Sequence, residues 1–69
     1  MPLIFANSGE DNIIRKVSGN PEIRTHLEDM GFVPGAMVQV ITTMNGNLIV
    51  RVKETRVAIS KEMAQRIMI

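Results

Sequence analysis

Leu27-Glu28-Asp29-Met30-Gly31-Phe32-Val33-Pro34-Gly35 is the stretch in which a helix must end and a sheet begin. A residue just past a helix end commonly needs positive φ, and glycine at 31 adopts it without a Cβ clash. Phe32 then stands where it can pack back on Leu27. Pro34-Gly35 predicts a tight turn of type II, because proline sets φ at the second position and glycine accepts positive φ at the third. Upstream, Asn20-Pro21-Glu22 reads as the matching helix start. Asn20 can cap free backbone N–H groups, Pro21 suits the first helical position, and Glu22 suits the positive end of the dipole. Ile23, Leu27 and Met30 fall at i, i+4 and i+7, on one face. A helix from Pro21 to about Met30 is marginal alone, so this stripe must be held by a sheet.

Downstream, Ala36 to Met44 and Leu48 to Lys53 read as strands, and Asn45-Gly46 between them is a hairpin signal. If Val38 and Val40 point inward with Leu48, Val50 and Val52, facing residue numbers must sum to an even value. A two-residue Asn45-Gly46 loop pairs Met44 with Asn47, an odd sum. A three-residue loop pairs Thr43 with Asn47, restores agreement and puts Gly46 at the left-handed bulge position. The spacing therefore predicts the three-residue loop, with Ile41 facing Ile49. Glu54-Thr55 reads as the next turn, Arg56 to Ile59 as a strand with Val57 and Ile59 inward, Ser60 as the cap of a helical turn from Lys61 to Ala64, and Arg66 to Ile69 as a closing strand with Ile67 and Ile69 inward.

Before the helix, Asn12 to Ser18 is the first main strand. Ile13, Arg15 and Val17 alternate on one face, yet Ile14 is also apolar and lies three residues from Val17. A bulge would bring Ile14 and Val17 inside together. Residues 1 to 8 form a short strand or a lead-in turn, broken at Asn7-Ser8-Gly9. The pattern is mainly β. It describes a small partly open barrel of about five strands, with one α-helix after the first main strand and a short helical turn before the last strand. Residues 1–69 read as one domain, with no internal repeats and no linkers.

Such a chain buries only about 60% of its unfolded surface, so its core is small. It has no cysteine, which rules out disulfides and thiolate metal sites. Eight basic residues stand against seven acidic ones, and no run of like charge exceeds two. Nucleic-acid binding through phosphate neutralisation usually shows a basic patch, so no nucleic acid is expected as a partner. The longest apolar run near the N-terminus, Leu3 to Ala6, is far short of a membrane span or a signal-peptide core. No direct membrane insertion is expected, and the composition suits the cytoplasm.

Leu27-x-x-Met30-Gly31-Phe32-x-Pro34-Gly35, followed by Val38 and Val40, resembles the L-x-x-L-G-hydrophobic-x-P-G-x-x-V-x-V signature of the FeoA family. The likeness runs on through Gly46, Leu48, Val50, Val52, Val57, Ala58 and Ile59 to Met63-Ala64 and Ile67, so that it covers residues 9 to 69. The family often has a glycine near the turn before its last long strand, where this chain has Glu54-Thr55. Its usual opening L-x-x-L-x-x-G is reduced here to Leu3, Phe5 and Gly9. The resemblance implies an SH3-like barrel and a role in bacterial ferrous iron transport. It implies as partner the FeoB permease, through its GTPase part or its membrane part, and recruitment to the inner face of the membrane.

Taken from the residues, the candidate contact surface is the outward hairpin face. Met37, Ile41 and Ile49 form an apolar patch there, with Arg51 and Lys53 at its rim. The competing expectation is that Leu3 and Phe5 fold over this face and cover it. The six methionines include Met30 and Met63, which read as core fillers. His26 stands beside Glu22 and Asp29 at helical spacing, a trio that can hold a divalent metal such as ferrous iron, although such trios are common on solvated helix faces. Ser8, Ser18 and Ser60 lie in turn or cap contexts, and there is no phosphate loop or nucleophile elbow. The sequence thus reads as a non-enzyme that calls for no cofactor. Proline-rich peptide recognition needs an aromatic-lined groove, and Phe5 and Phe32 are the only aromatics. The alternative function is a small-barrel nucleic-acid-binding or iron-responsive regulatory module, which would need Arg15, Lys16, Arg51, Lys53, Arg56 and Arg66 to converge. Edge strands leave room for weak self-association, discouraged only by Arg and Lys side chains.

Overall fold

A computed structural model describes residues 1–69. After a 3₁₀ turn at Leu3–Phe5 come β1 (Asp11–Ile13), β2 (Lys16–Val17), α1 (Pro21–Asp29), β3 (Met37–Met44), β4 (Asn47–Val52), β5 (Thr55–Ser60), α2 (Lys61–Ala64) and β6 (Ile67–Met68). The strands form an antiparallel four-stranded sheet in the order β1-β3-β4-β5 and a two-stranded ribbon of β2 and β6.

α1 begins and ends on local chemistry. The Asn20 side chain accepts from the Ile23 N–H at 2.8 Å, and Pro21 opens the helix. At the other end Gly31 has φ +103°. Its N–H donates to the Glu28 carbonyl at 2.9 Å, and the Phe32 N–H donates to the Leu27 carbonyl at 3.0 Å. These are the two bonds of a Schellman motif, and its hydrophobic partners Leu27 and Phe32 are both fully buried. Asn20→Ala is expected to lower stability by about 1 kcal/mol in urea unfolding, with the slope unchanged, because one N–H loses its cap.

The chain then turns sharply. The Ala36 N–H donates to the Val33 carbonyl at 3.0 Å with Gly35 at φ +90°, the type II geometry expected of Pro34-Gly35. The Gly35 N–H donates to the Ile14 carbonyl at 2.7 Å, and the Ile14 N–H donates to the Ala36 carbonyl at 2.9 Å. The helix exit is thereby fastened to the end of β1.

Three expectations are corrected. The strand foreseen over Asn12 to Ser18 is split at Ile14-Arg15, so there are six short strands. β1 joins β3, whereas β2 joins β6. The split brings Ile14 and Val17 inside together and turns Ile13 outward at 50% exposure. The hairpin between β3 and β4 uses the two-residue turn, with Met44 opposite Asn47 and positive φ at Asn45 and Gly46. Parity is restored within the ladder by a bulge between Val40 and Thr42, so that Val40 faces Val50 and Val38 faces Val52. An Asn-Gly turn matches strand twist so well that the extra residue is accommodated in the strand instead. Ile49 therefore faces Thr42, and Ile41 is the bulged residue. Finally, the turn between β4 and β5 is Lys53-Glu54, not Glu54-Thr55, because Val52 pairs with Thr55. Lys53 and Glu54 carry φ of +49° and +64°, which L side chains adopt only with strain.

The core joins Leu3, Ile14, Val17, Leu27, Phe32, Val38, Val40, Leu48, Val50, Val52, Ile59, Ala64 and Ile67, with Ile23, Met30, Val57, Met63 and Ile69 packed against it. Leu3 lies inside, and its 3₁₀ turn meets α2, while Phe5 stays 69% exposed. Leu3 is therefore part of the core and not a cover for the hairpin face. The chain ends meet beside β6, where the Ile69 N–H donates to the Met1 carbonyl at 2.7 Å. The Ser60 hydroxyl caps α2 by accepting from the Met63 N–H at 3.2 Å. No helix is long and apolar enough to cross a membrane.

Candidate functional site

The outer face of the four-stranded sheet is defined by its pairing. Side chains that alternate with the buried Val38, Val40, Leu48, Val50 and Val52 must point away from the core. Across the strands this face carries Ile13 opposite Met37. The next row places Asp11 opposite Gln39, Gln39 opposite Arg51, and Arg51 opposite Arg56. Farther along, Thr42 faces Ile49 and Ile49 faces Ala58.

Three of the five residues foreseen for partner contact, Met37, Arg51 and Lys53, line one shallow groove of about 400 Å³ together with Asp11, Ala36, Gln39 and Glu54. Met37 is 53% exposed. Ile41 and Ile49 lie beyond the groove and are half-buried. The row of Asp11, Gln39, Arg51 and Arg56 runs between Met37 and Ile49, so the apolar residues do not make one continuous patch. Ile13 was missed as a surface residue. Its exposure beside Met37 follows from burying Ile14 and Val17 together, which the three-residue spacing signals.

The face is anchored from its edge. The Gly9 N–H donates to the Val40 carbonyl at 2.8 Å, and the Gln39 side chain donates to the Gly9 carbonyl at 2.9 Å. Gly9 reaches this position with φ +87°.

Glu22, His26 and Asp29 all lie exposed on α1. The structure gathers no three His, Asp or Glu side chains into a group that can hold a metal ion, and this trio is not one. The six basic residues that a nucleic-acid surface would need to converge divide between the two sheets. Arg51, Lys53 and Arg56 belong to β4, β5 and their turn, whereas Lys16 is in β2 and Arg15 and Arg66 flank β2 and β6. Arg66 lies against Gly19, where an added Cβ would come within 2.9 Å of its Cδ. Ser18 donates its hydroxyl to the Arg66 carbonyl at 3.2 Å.

Beside this geometry, the comparisons with known proteins are specific. The family model described as the FeoA domain matches residues 1–69. A protein of Methanocaldococcus jannaschii provisionally named Fe(2+) transport protein A is 34% identical over 68 residues, which is 99% of this chain and 83% of that protein. The crystal structure of an iron uptake regulatory protein, FeoA, superposes with a TM-score of 0.89 at 32% identity, over 97% of this chain and 91% of that one. The zinc complex of FeoA from Stenotrophomonas maltophilia, described as an SH3 domain protein and a candidate ferrous iron transport activating factor, gives 0.86 at 26% identity, over 99% and 87% of the two chains. The split first strand, the Schellman exit from α1 and the bulged hairpin thus build an SH3-like barrel, and this chain belongs to the FeoA family.

Proposed function

We propose that this chain is a non-catalytic accessory of ferrous iron uptake that works by protein–protein contact with a FeoB-type permease on the cytoplasmic side of the membrane. Family membership supports the transport role. The observation that carries the contact is the groove on the outer face, where an exposed methionine stands beside Arg51 and Lys53. An apolar centre with charged neighbours suits a specific and reversible contact. Met37 and Ile13 supply the apolar part, Arg51 and Lys53 the charge, and Ile41 and Ile49 extend the surface toward the hairpin tip.

NMR titration of the labelled protein with the GTPase domain of a ferrous permease tests this reading. Signals of Met37, Ile49, Arg51 and Lys53 are expected to move. Met37→Asp and Ile49→Asp are each expected to weaken binding by about tenfold or more while the spectrum stays dispersed. Shifts confined to α1 around His26 would move the site off the sheet. No response from either the GTPase domain or the full permease in detergent would remove the proposal.

A further inference from the structure

β5 is the long free edge of the four-stranded sheet, paired with β4 on one side only. The Lys53-Glu54 turn decides which of its backbone groups are used. Residues flanking a two-residue turn exchange both hydrogen bonds, so Val52 and Thr55 bond to each other. Alternation along the ladder then aims the backbone groups of Thr55, Val57 and Ile59 at β4, and those of Arg56 and Ala58 outward. Beyond the ladder, no hydrogen bond in the chain uses the N–H or C=O of Arg56 or Ala58. Both residues are exposed, and no proline interrupts the strand. The opposite edge, β1, is only three residues long.

A second observation says what this edge suits. Arg51 and Arg56 stand directly opposite each other on the outer face, in a pair that exchanges no backbone bonds, where side chains are closest. Like charges so placed destabilise a sheet. The acid of this row, Asp11, is separated from Arg51 by Gln39, and the row ends in two guanidinium groups at the open edge.

We infer that β5 takes up, by strand addition, an extended acidic segment of a partner protein, with one carboxylate set opposite Arg56. Strands lie about 4.8 Å apart, so a carboxylate there is in reach of both arginines. Main-chain bonds to Arg56 and Ala58 supply affinity, and the arginine pair supplies sign selectivity. A second copy of this chain suits the edge less well. Thr55–Ser60 contains no acid, so no twofold register of β5 on itself brings one opposite Arg56. The inference rests on the reading of the chain as a protein-contact module, but not on the identity of its partner.

The test uses the intact 69-residue protein and two synthetic nonapeptides, one alternating Thr with Glu and one alternating Thr with Lys. In NMR titrations the Glu peptide is expected to move the amide signals of Arg56, Ala58 and Ser60 and to slow their hydrogen exchange, while the Lys peptide leaves them in place. Arg56→Glu is expected to weaken the Glu peptide at least about tenfold and to admit the Lys peptide. Ala58→Pro removes an outward N–H that the fold does not use, so it is expected to keep the native spectrum and lose the peptide. Equal binding of the two peptides, unchanged binding by Ala58→Pro, or no shift at about 3 mM peptide would each overturn the inference. Concentration-dependent shifts of β5 amides without peptide would also overturn it, by making a second copy the occupant. Peptide binding at β5 alongside a silent permease titration would leave this inference standing and remove the permease. The reverse result would remove this inference alone.

Discussion

Phe32→Ala is expected to leave this domain largely unfolded at 25 °C. Phe32 is fully buried and heads the largest of the buried side chains. It occupies the position just past the Gly31 helix end, where its ring joins the core cluster with Leu27 and the sheet valines while its N–H donates to the Leu27 carbonyl. Truncating a buried phenylalanine costs about 3–5 kcal/mol through lost transfer energy and the cavity left behind. A 69-residue domain has roughly 3–10 kcal/mol in total, and a small core keeps it near the lower end. Without cysteine there is no cross-link to hold the fold once packing fails. Circular dichroism and amide dispersion check the result. Phe32→Leu, which keeps most of the volume, is expected to stay folded with a loss of about 1 kcal/mol. A cooperative transition for Phe32→Ala within about 1 kcal/mol of the parent would contradict this account of the core.

The reverse effect is expected at the turn between β4 and β5. Lys53 and Glu54 both sit in the left-handed region, φ +49° and +64°, a conformation that two-residue hairpins require and that Asn-Gly adopts with least strain. The same chain shows the favourable version at Asn45-Gly46. Replacing Lys53-Glu54 by Asn-Gly relieves Cβ strain at both positions, offset in part by the greater freedom of glycine in the unfolded chain. The net gain is expected to be about 1–2 kcal/mol, which raises Tm by about 4–16 °C in a domain of this size. Glu54→Gly should supply most of it. Lys53 lies with its stem against Gly31, where an added Cβ would meet its Cδ at 3.4 Å. It therefore contributes packing at the end of α1 that Lys53→Asn would lose. A thermal scan of the two single variants and the double variant checks the ranking. A Tm that stays put or falls in Glu54→Gly would mean the turn is not strained.

This turn also explains a departure from the family pattern. The glycine often found there is absent, and the positive φ is carried by charged residues instead. Lys53 and Glu54 both line the outer groove. The strain is thus located beside the candidate contact surface.

The local rules were legible in the sequence. Asn20 and Pro21 start the helix, Gly31 ends it, Pro34-Gly35 makes the type II turn, and Ser60 caps α2, because each needs only neighbours within a few residues. The inward set of Val38, Val40, Leu48, Val50 and Val52 was equally plain, since pleat parity is carried by the chain itself. Parity also announced that one extra residue had to be absorbed between these strands. It did not say where. A turn and a mid-strand bulge satisfy the same sum, and the choice fell to the stability of the two-residue Asn-Gly turn, with the extra residue taken up at Ile41. Similarly, the spacing of Ile14 and Val17 pointed to a bulge within one strand, and only closure of the barrel made it a split, a passage from one sheet to another. Near-neighbour chemistry therefore sets the elements, most of their ends and the buried set before any fold is known. The bulge, the outward place of Ile13, the insertion of Leu3 and the meeting of Arg51 with Arg56 come only with the assembled barrel, because each depends on a partner held in place by pairing across the sheet.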